Sequence, residues 1–211
     1  MKKVFTVKNI AAMGIFGALA AILYCVPGLQ FNLWFAPSFL KIHLDEIPLL
    51  IVSFAYGPYV GLGALLIKTI IKIPFDLNNM CIGVLADFMY GIALLVPASF
   101  IYDKFRTLKG ALLAILIGIL SSLIVSAFVG LYTIFPLYEI VYGDFVLKAF
   151  QAFDNSITSL KDIKISFEFL LPFNAFKLGI VSISTFVVYK PLRKLIELIA
   201  TKRKEETKKD D

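Results

Sequence analysis

The chain has 211 residues, of which 59% are hydrophobic and 17% are charged. Soluble domains contain only ~45–50% apolar residues, so this composition excludes an ordinary soluble protein. A membrane-spanning helix needs roughly 20 apolar residues, and the length therefore allows about six spans with no room for a soluble domain. The net charge of +6 would suit a nucleic-acid binder, but the basic residues flank the hydrophobic segments, as membrane topology requires.

The hydrophobic pattern predicts an all-α integral membrane bundle of six transmembrane helices. The first hydrophobic stretch follows a basic N-terminus like a signal peptide, but it is too long and lacks a small-x-small cleavage site, so we expect a retained helix. Helices two and three are short and joined by the Gly57-Pro58 turn, which implies tilt or partial burial. The expected spans of this single membrane domain, 1–211, are about 7–26, 45–56, 58–73, 80–102, 109–135 and 168–192, followed by a basic tail at 193–211.

Helix one carries small residues at helical spacing, Gly14 with Ala18 and Gly17 with Ala21. Small residues let another helix approach closely. The partner is either a helix of the same chain or a separate membrane subunit.

The loop at 27–44 is rich in aromatic residues, Trp34 among them, and leads through Leu40 into the polar pair Asp45 and Glu46. In one interpretation Asp45 caps helix two, Glu46 complements the helix dipole and Trp34 belongs to the interfacial aromatic belt. In the other the loop is a lid whose rings cover a flat aromatic ligand and whose polar groups hold its edge. His43 is the sole histidine, which excludes a His-rich metal site, and we predict no bound metal.

Asp87 is embedded in the apolar sequence of helix four. An ionised group at the centre of a span costs ~2.5–3.5 kcal/mol, so Asp87 needs a partner, either in a structural ion pair or in a ligand. Lys68, Lys72 or Lys177 can supply that partner. We expect Lys68 and Lys72 otherwise to snorkel from the end of helix three to the membrane surface.

Helix six presents Asn174 and Lys177 three residues apart on one face, just after Pro172 in the first helical turn. An amide and a cation at that place suit a ligand that enters from outside. The alternative is that Lys177 snorkels outward while Asn174 bonds a neighbouring helix.

The distribution of Lys and Arg predicts that both termini are cytoplasmic, because cytoplasmic flanks carry the excess of these residues. With six spans, three basic segments fall on one side, and they contain Lys2, Lys3 and Lys8, then Lys104, Arg106 and Lys109, then the tail from Lys190 onward.

Several catalytic patterns are absent from the sequence. There is no phosphate-binding G-x-x-x-x-G-K-[ST] loop, no H-E-x-x-H, no G-x-S-x-G and no CxxC pair. We therefore predict no catalytic residue, and the chain has no such route to ATP hydrolysis. A transporter of this kind would need other subunits to drive it.

Several segments, in this order, resemble the substrate-binding S components of energy-coupling factor (ECF) transporters, most closely the riboflavin-specific ones. The resemblance covers about residues 9 to 192. Its segments are Phe39 to Pro48, Phe54 to Pro58, Leu66 to Lys68, Leu85-Ala86, Ala93 to Ala98, Phe135 to Tyr138, Pro172 to Lys177 and Val188 to Lys190.

The resemblance implies a six-helix carrier in a bacterial plasma membrane, with a vitamin pocket that opens outward under the first loop. It also implies a coupling membrane subunit, two ATPase subunits and no resident cofactor, with riboflavin or a related flavin as the transported ligand. Ligand contacts carry over to Asn174 and Lys177, and coupling-subunit contacts to Gly14, Gly17, Ala18 and Ala21. We add Trp34, Leu40, Asp45, Glu46 and Asp87 as candidate ligand contacts.

The sequence departs from the family pattern at Gly130, where the riboflavin members have an asparagine in helix five. A site built to hydrogen-bond its ligand discriminates strongly through such groups. The alternative is therefore a carrier of the same class for another B-vitamin or a precursor, and a more distant one is a membrane subunit outside transport.

Overall fold

The computed structural model describes residues 6–77 and 80–210, with side chains through residue 199 and that of residue 201. Lys2, Lys3 and the tail side chains from Lys202 onward, which contribute to the predicted topology, lie outside the described residues.

Helices dominate the described part of the chain. Five stretches are long and apolar enough to cross a membrane, at 7–25, 58–75, 82–104, 108–142 and 163–199. A shorter apolar helix at 46–56 is the sixth, and the predicted all-α membrane fold is confirmed. The main helices are α1 (Val7–Cys25), α2 (Glu46–Tyr56), α3 (Pro58–Lys72), α4 (Ile82–Lys104) and α5 (Leu108–Val129).

The starts of α1 and α5 have a local cause in the sequence. The Thr6 hydroxyl accepts a hydrogen bond from the Asn9 N–H at 3.2 Å, and the Thr107 hydroxyl accepts one from Gly110 at 3.0 Å. Threonine at such a position satisfies one of the backbone donors that a helix start leaves without a partner.

Helix α2 is the interior helix of the bundle. Leu49, Leu50, Val52 and Phe54 are fully buried, which is expected of a helix that is hydrophobic on every side. Its short length therefore reflects burial among its neighbours, one of the two outcomes predicted for it. Gly57, at φ 94°, makes the turn from α2 to α3 in a backbone conformation that favours glycine.

The shortness of α2 leaves a recess at one end of the bundle. The 11 residues of α2 rise about 16 Å and the 19 of α1 about 28 Å. Both helices reach one common level, because the Lys8 ammonium lies 5.9 Å from the ring centroid of Tyr56. The start of α2 is therefore recessed at the opposite end, which also holds the connections 26–45, 73–81 and 143–162. We call this the loop end, and the other the tail end.

The chain after α5 differs from the predicted pattern. A π-helical turn at Gly130–Ile134 links α5 to α6 (Phe135–Tyr142), so the helical run ends seven residues beyond the predicted 135. Pro136 lies two residues after this turn, inside the continuous helical run, where it has no N–H to donate to a backbone carbonyl. The sixth span begins earlier than the predicted 168, with α8 (Ile163–Ile165), a π-helical turn at Ser166–Leu170, and α9 (Leu171–Asp210).

The connection between α6 and α8 has its own small core. It contains α7 (Phe145–Gln151) and a turn-rich stretch, where the sequence predicted only a long link. We call the segment 143–162 the cap. The core beneath it is formed by Leu131, Phe135, Val146, Phe150, Ile157, Leu160, Ile165, Phe169 and Leu170.

The first loop contains a two-residue antiparallel ladder, β1 (Phe31–Asn32) with β2 (Lys41–Ile42). Phe39, at the far side of this loop, packs edge-to-face on Phe150 of the cap with ring centroids 5.7 Å apart. The loop and the cap are therefore in direct contact above the recess.

The tail end is closed by an aromatic cluster that joins α2, α4 and α9. The rings of Phe54 and Tyr102 stack at 4.4 Å, and the hydroxyls of Tyr102 and Tyr189 lie 2.9 Å apart. All three side chains are buried.

Half of the small-residue face of α1 is used inside the chain. A Cβ at Gly17 would lie 2.8 Å from the Ala64 carbonyl oxygen, and Ala21 is 2% exposed. Gly17 therefore packs against α3 and Ala21 is buried inside the chain, which is one of the two alternatives stated for this face, and a contact of these two residues with another subunit stays a prediction. Gly14 has nothing within 4 Å of a built Cβ, and Ala18 is half-buried, so this part of the face stays available.

Candidate functional site

A cluster of six charged side chains lies in the recess at the start of α2. Each comes from a helix that ends or begins at the loop end of the bundle, which is why residues far apart in sequence meet. The cluster contains Asp45 and Glu46 from the start of α2, Lys68 and Lys72 from α3, Asp87 from α4 and Lys177 from α9.

All six groups form ion pairs, in one set of four and one separate pair. The Lys68 ammonium contacts the carboxylates of both Asp45 and Asp87, the latter at 2.7 Å. Lys72 donates to Asp87 at 2.6 Å, and Lys177 pairs with Glu46. The prediction that Asp87 needs a lysine partner is confirmed. The prediction that Lys68 and Lys72 snorkel is wrong, because their side chains are at most 1% exposed.

Charge balance explains how this cluster persists inside the bundle. A buried charge is tolerated when an opposite charge offsets its loss of hydration, and three ammoniums face three carboxylates here. Asp45 occupies the position before the first turn of α2, yet its carboxylate makes no capping hydrogen bond and contacts Lys68 instead. Oxygens of Asp45, Glu46 and Asp87 lie within 4.8 Å of one another, a spacing that suits a cation, and lysine ammoniums already lie against them.

Tyr24 and His43 separate this charge cluster from a neighbouring cavity. The Lys72 ammonium lies 3.3 Å from the ring centroid of Tyr24, a cation–π contact, and the His43 ring stacks on Tyr24 at 4.2 Å. Burial, and then the charge of Lys177, lower the pKa of His43 to about 3. The imidazole is therefore neutral at physiological pH.

The cavity has a volume of about 510 Å³ and lies between the first loop, the α3–α4 connection and the cap. Pockets for small organic ligands usually span roughly 300–1,000 Å³. Its lining combines aromatic rings with a few polar groups and comprises Tyr24, Cys25, Gln30, Phe39, Lys41, His43, Phe75, Asp76, Gly83, Tyr138, Tyr142, Phe145 and Val146.

Two polar contacts shape the cavity wall. The Asp76 carboxylate accepts a hydrogen bond from the Val84 N–H at 3.1 Å, which fixes it beside the first turn of α4. At the exposed rim the Lys41 ammonium donates to the Gln30 side-chain oxygen at 3.1 Å. Gly83 allows Asp76 to approach α4 this closely, because a Cβ there would lie 3.0 Å from Asp76 Oδ2.

The residues predicted for the ligand site do not line this cavity. Asn174 is buried, and its side-chain amide donates to the Leu170 carbonyl oxygen of the same helix at 2.9 Å, where a neighbouring helix was the expected alternative. Lys177 pairs with Glu46. Trp34 is 84% exposed, with its ring edge-to-face on Phe35, so it does not cover the cavity.

Leu40 packs into a small apolar cluster under the first loop, although its neighbours Phe39 and Lys41 border the cavity. Asp45, Glu46 and Asp87 lie in the charge cluster behind Tyr24 and His43. The prediction that these residues contact a ligand stays a prediction.

Sequence reasoning missed several lining residues, namely Tyr24, Gln30, Asp76, Tyr142 and Phe145. One signal was available, because Tyr138 and Tyr142 are four residues apart and lie on one face of α6. Asp76, an acidic residue between two spans, was a second signal. Cys25 is half-buried at the cavity wall.

Gly130 lies where two side chains leave no room. A Cβ there would lie 2.8 Å from Leu170 Cδ1 and 3.2 Å from the Tyr90 hydroxyl oxygen. An asparagine at this position would therefore require Leu170 and Tyr90 to move.

Residues 8–189 match the family model described as the ECF transporter, substrate-specific component. The riboflavin transporter RibU of Staphylococcus aureus (strain TCH60) is 25% identical over 181 residues, which cover 86% of this chain and 89% of that protein. The riboflavin transporter FmnP of Bacillus subtilis (strain 168) is 24% identical over 197 residues, which cover 90% and 95%.

A solved structure has the same fold. It is described as the S component of a bacterial ECF transporter, with a TM-score of 0.71 at 22% identity, and the match covers 90% of this chain and 97% of that one.

Proposed function

The chain belongs to the family of ECF transporter substrate-specific components, and we propose from this premise that it captures riboflavin for uptake across the bacterial plasma membrane. Membership makes it a membrane transport component and not an enzyme. The alternative within the class is another B-vitamin or precursor.

The observation that carries the proposal is the cavity at the loop end. Its volume of about 510 Å³ suits one small organic molecule. Aromatic side chains such as Phe39, Tyr138 and Phe145 provide faces on which a flat ring system stacks. Gln30, His43 and Asp76 provide hydrogen-bonding groups for its polar edge. A flavin combines both chemical features, and the two curated relatives are riboflavin transporters.

Asn174 and Lys177 remain part of the proposal as ligand contacts. They do not line the cavity, and a ligand that reaches them must displace Glu46 from Lys177 and the Leu170 carbonyl from Asn174. The neighbouring members of the charge cluster, Asp45 and Asp87, would then rearrange with Lys68. We call the position of Asn174 and Lys177 the deeper site. A ligand bound there and a ligand bound in the cavity would respond to different mutations.

Transport would be driven by other subunits, namely a coupling membrane protein and two ATPases. The sequence has no phosphate-binding loop to supply that energy itself. Gly14 and Ala18 form the part of the α1 face that stays free of α3, and a coupling helix would dock there.

The proposed orientation has both termini in the cytoplasm and the loop end outside. Lys104, Arg106 and Lys109 flank the tail end of α4 and α5, as the excess of basic residues on cytoplasmic flanks requires. The cavity then opens to the side from which a vitamin arrives.

The experiment is to purify the full chain from a flavin-containing host and record its visible absorption and fluorescence. We expect a yellow protein whose flavin is released on denaturation. A colourless protein that carries another small molecule would overturn riboflavin in favour of the sister-substrate alternative, and a protein that retains no vitamin would overturn the function.

Variants separate the cavity from the deeper site. Tyr138→Leu removes a lining ring, and Tyr132→Leu is its matched control, because Tyr132 is 63% exposed on the same helical run. We expect riboflavin affinity to fall by tenfold or more in Tyr138→Leu only, since a stacked ring contributes about 1–3 kcal/mol. If Asn174→Ala and Lys177→Ala lose the flavin while Tyr138→Leu keeps it, the ligand occupies the deeper site.

A further inference from the structure

Helix α9 is longer than a single membrane span requires. Its 40 residues rise about 60 Å, which is twice the hydrocarbon thickness of about 30 Å. The part from Leu171 to Lys190 already rises about 30 Å, and Tyr189 near its end belongs to the aromatic cluster that closes the tail end. The helix therefore continues past the tail end of the bundle, and we call its part at 190–199 the α9 extension.

The α9 extension has one apolar side that faces away from the bundle. Ile196 is buried in the main core, so the opposite side of the extension is the outer one. Leu195 and Leu198 are each 54% exposed. Leu198 follows Val187 by about three helical turns, so the two side chains point in nearly the same direction. Because Val187 is an exposed side chain of the span, the lipid-facing side of α9 continues into the extension.

The extension also carries two cations beside this apolar side. Lys190 and Lys194 are exposed and lie one turn apart. Neither forms an ion pair with a side chain that the structure describes, whereas Arg193 pairs with Glu197 at 2.7 Å. The two lysines therefore leave positive charge next to Leu195 and Leu198.

Positive charge extends over the whole tail end. Among the described side chains this end has seven basic and two acidic residues, namely Lys8, Lys104, Arg106, Lys109, Lys190, Arg193 and Lys194 against Asp103 and Glu197. Several helices contribute to this excess, which suits a plane of negative charge better than a single partner chain. A bilayer with anionic lipids provides such a plane, and its acyl chains cover exposed leucines that lie beside lysines.

We propose that the α9 extension lies in the headgroup region of the membrane at the tail end and binds anionic lipids there. Leu195 and Leu198 contact the acyl chains, and the ammoniums of Lys190 and Lys194 pair with lipid phosphates. Pro191 has no N–H to donate where the extension leaves the span, which lets the helix bend toward the bilayer. This contact is independent of the vitamin that the chain binds.

The test places a tryptophan on the apolar side of the extension in the full chain, reconstituted in bilayers. Trp34 is the sole native tryptophan, so a chain with Trp34→Phe and Leu195→Trp reports on position 195 alone. Bromine atoms on lipid chains quench a tryptophan that lies among them, and acrylamide quenches one that faces water. We expect brominated phosphatidylglycerol to quench more than brominated phosphatidylcholine at equal bromine content, and acrylamide to quench little.

The two lysines should account for the difference between the lipids. A basic side chain beside an anionic bilayer favours the contact by about fivefold. Lys190→Gln combined with Lys194→Gln should therefore bring quenching by the two brominated lipids close to equality, and high salt should act in the same direction. Lys148→Gln combined with Lys161→Gln is the matched control, because these are exposed lysines of the cap at the loop end, and the difference should persist.

Several outcomes would overturn the proposed contact. If acrylamide quenches the introduced tryptophan and brominated lipid does not, the extension projects into water. If neither quenches it, protein covers the apolar side. Equal quenching by the two brominated lipids with both lysines present would overturn the preference for anionic lipid, and so would an equal loss of the difference in the cap control. If Leu195→Trp does not yield folded protein, Leu198→Trp places the probe on the same side.

Discussion

The two ends of the bundle differ in the chemistry of their buried side chains. The loop end contains six paired charges and a cavity of about 510 Å³, whereas the tail end contains the packed rings of Phe54, Tyr102 and Tyr189. Apolar packing stabilises a bundle without the desolvation cost that buried charges incur. The buried charges, which incur this desolvation cost, lie at the end that has space for a ligand. We therefore expect ligand binding at the loop end.

Substitutions at the two ends should have different consequences. Changes at the tail end should lower the free energy of unfolding and leave the ligand affinity of the folded fraction unchanged. Changes at the loop end should alter both quantities.

The largest effect is expected for Lys68→Met. It leaves the buried carboxylates of Asp45 and Asp87 without their shared cation, and breaking a buried pair in this way costs about 3–5 kcal/mol. Thermal unfolding of the detergent-solubilised chain measures the loss. Arg193→Gln is the control, because it breaks the more exposed Arg193–Glu197 pair and should change little. Equal melting temperatures for Lys68→Met and wild type would contradict a structural role of the charge cluster.

Phe54→Ala tests the tail end at a similar magnitude. It removes a fully buried ring that stacks on Tyr102, and such deletions cost about 3–5 kcal/mol. We expect a lower melting temperature with an unchanged dissociation constant for flavin in the folded fraction. A weaker affinity in correctly folded protein would show that the two ends are coupled.

The pH dependence of the free energy of unfolding tests the contribution of His43 at the loop end. Its folded-state pKa is about 3 and its ordinary value 6.5, so between these values the unfolded chain binds a proton that the folded chain does not. The contribution of His43 is therefore fully present above pH 6.5 and is lost as the pH falls toward 3, at up to about 1.4 kcal/mol per pH unit. Melting temperatures between pH 7.5 and 5 measure it, and His43→Gln should flatten the slope. A slope that is unchanged in this variant would assign the effect to other groups.

Tyr102→Phe should have the smallest effect. It removes one hydroxyl of the buried pair with Tyr189 and leaves the rings in place, at a cost of about 1 kcal/mol. Denaturant unfolding measures this difference, and Tyr189→Phe should give a similar value. A loss as large as that in Phe54→Ala would mean that the hydroxyl pair organises the cluster.

The long spans and the burial of α2 could be predicted from sequence, because hydrophobic length and composition report directly on them. The π-helical turns at Gly130–Ile134 and Ser166–Leu170 could not, since a one-residue shift in backbone hydrogen bonding leaves no mark in composition. The fifth helical run continues through the first of these turns to Tyr142, and the sixth begins before the second turn at Ile163.

The charge cluster was partly predictable. An aspartate in an apolar helix demands a partner, which identified the lysines that meet Asp87, but sequence gave no sign that Lys68 is turned inward and shared with Asp45. The cavity was harder, because Tyr24, Asp76 and Tyr142 come from α1, the α3–α4 connection and α6, and their meeting depends on the tertiary fold.

The length of α2 has a consequence for how the chain enters the bilayer during synthesis. A helix of about 16 Å cannot by itself cross a hydrocarbon core of about 30 Å, so it is a poor substrate for insertion alone. The tight Gly57 turn joins it directly to α3, whose Lys68 neutralises the aspartate at the start of α2. We expect α2 and α3 to insert as one hairpin, with their ion pair formed before either helix meets lipid.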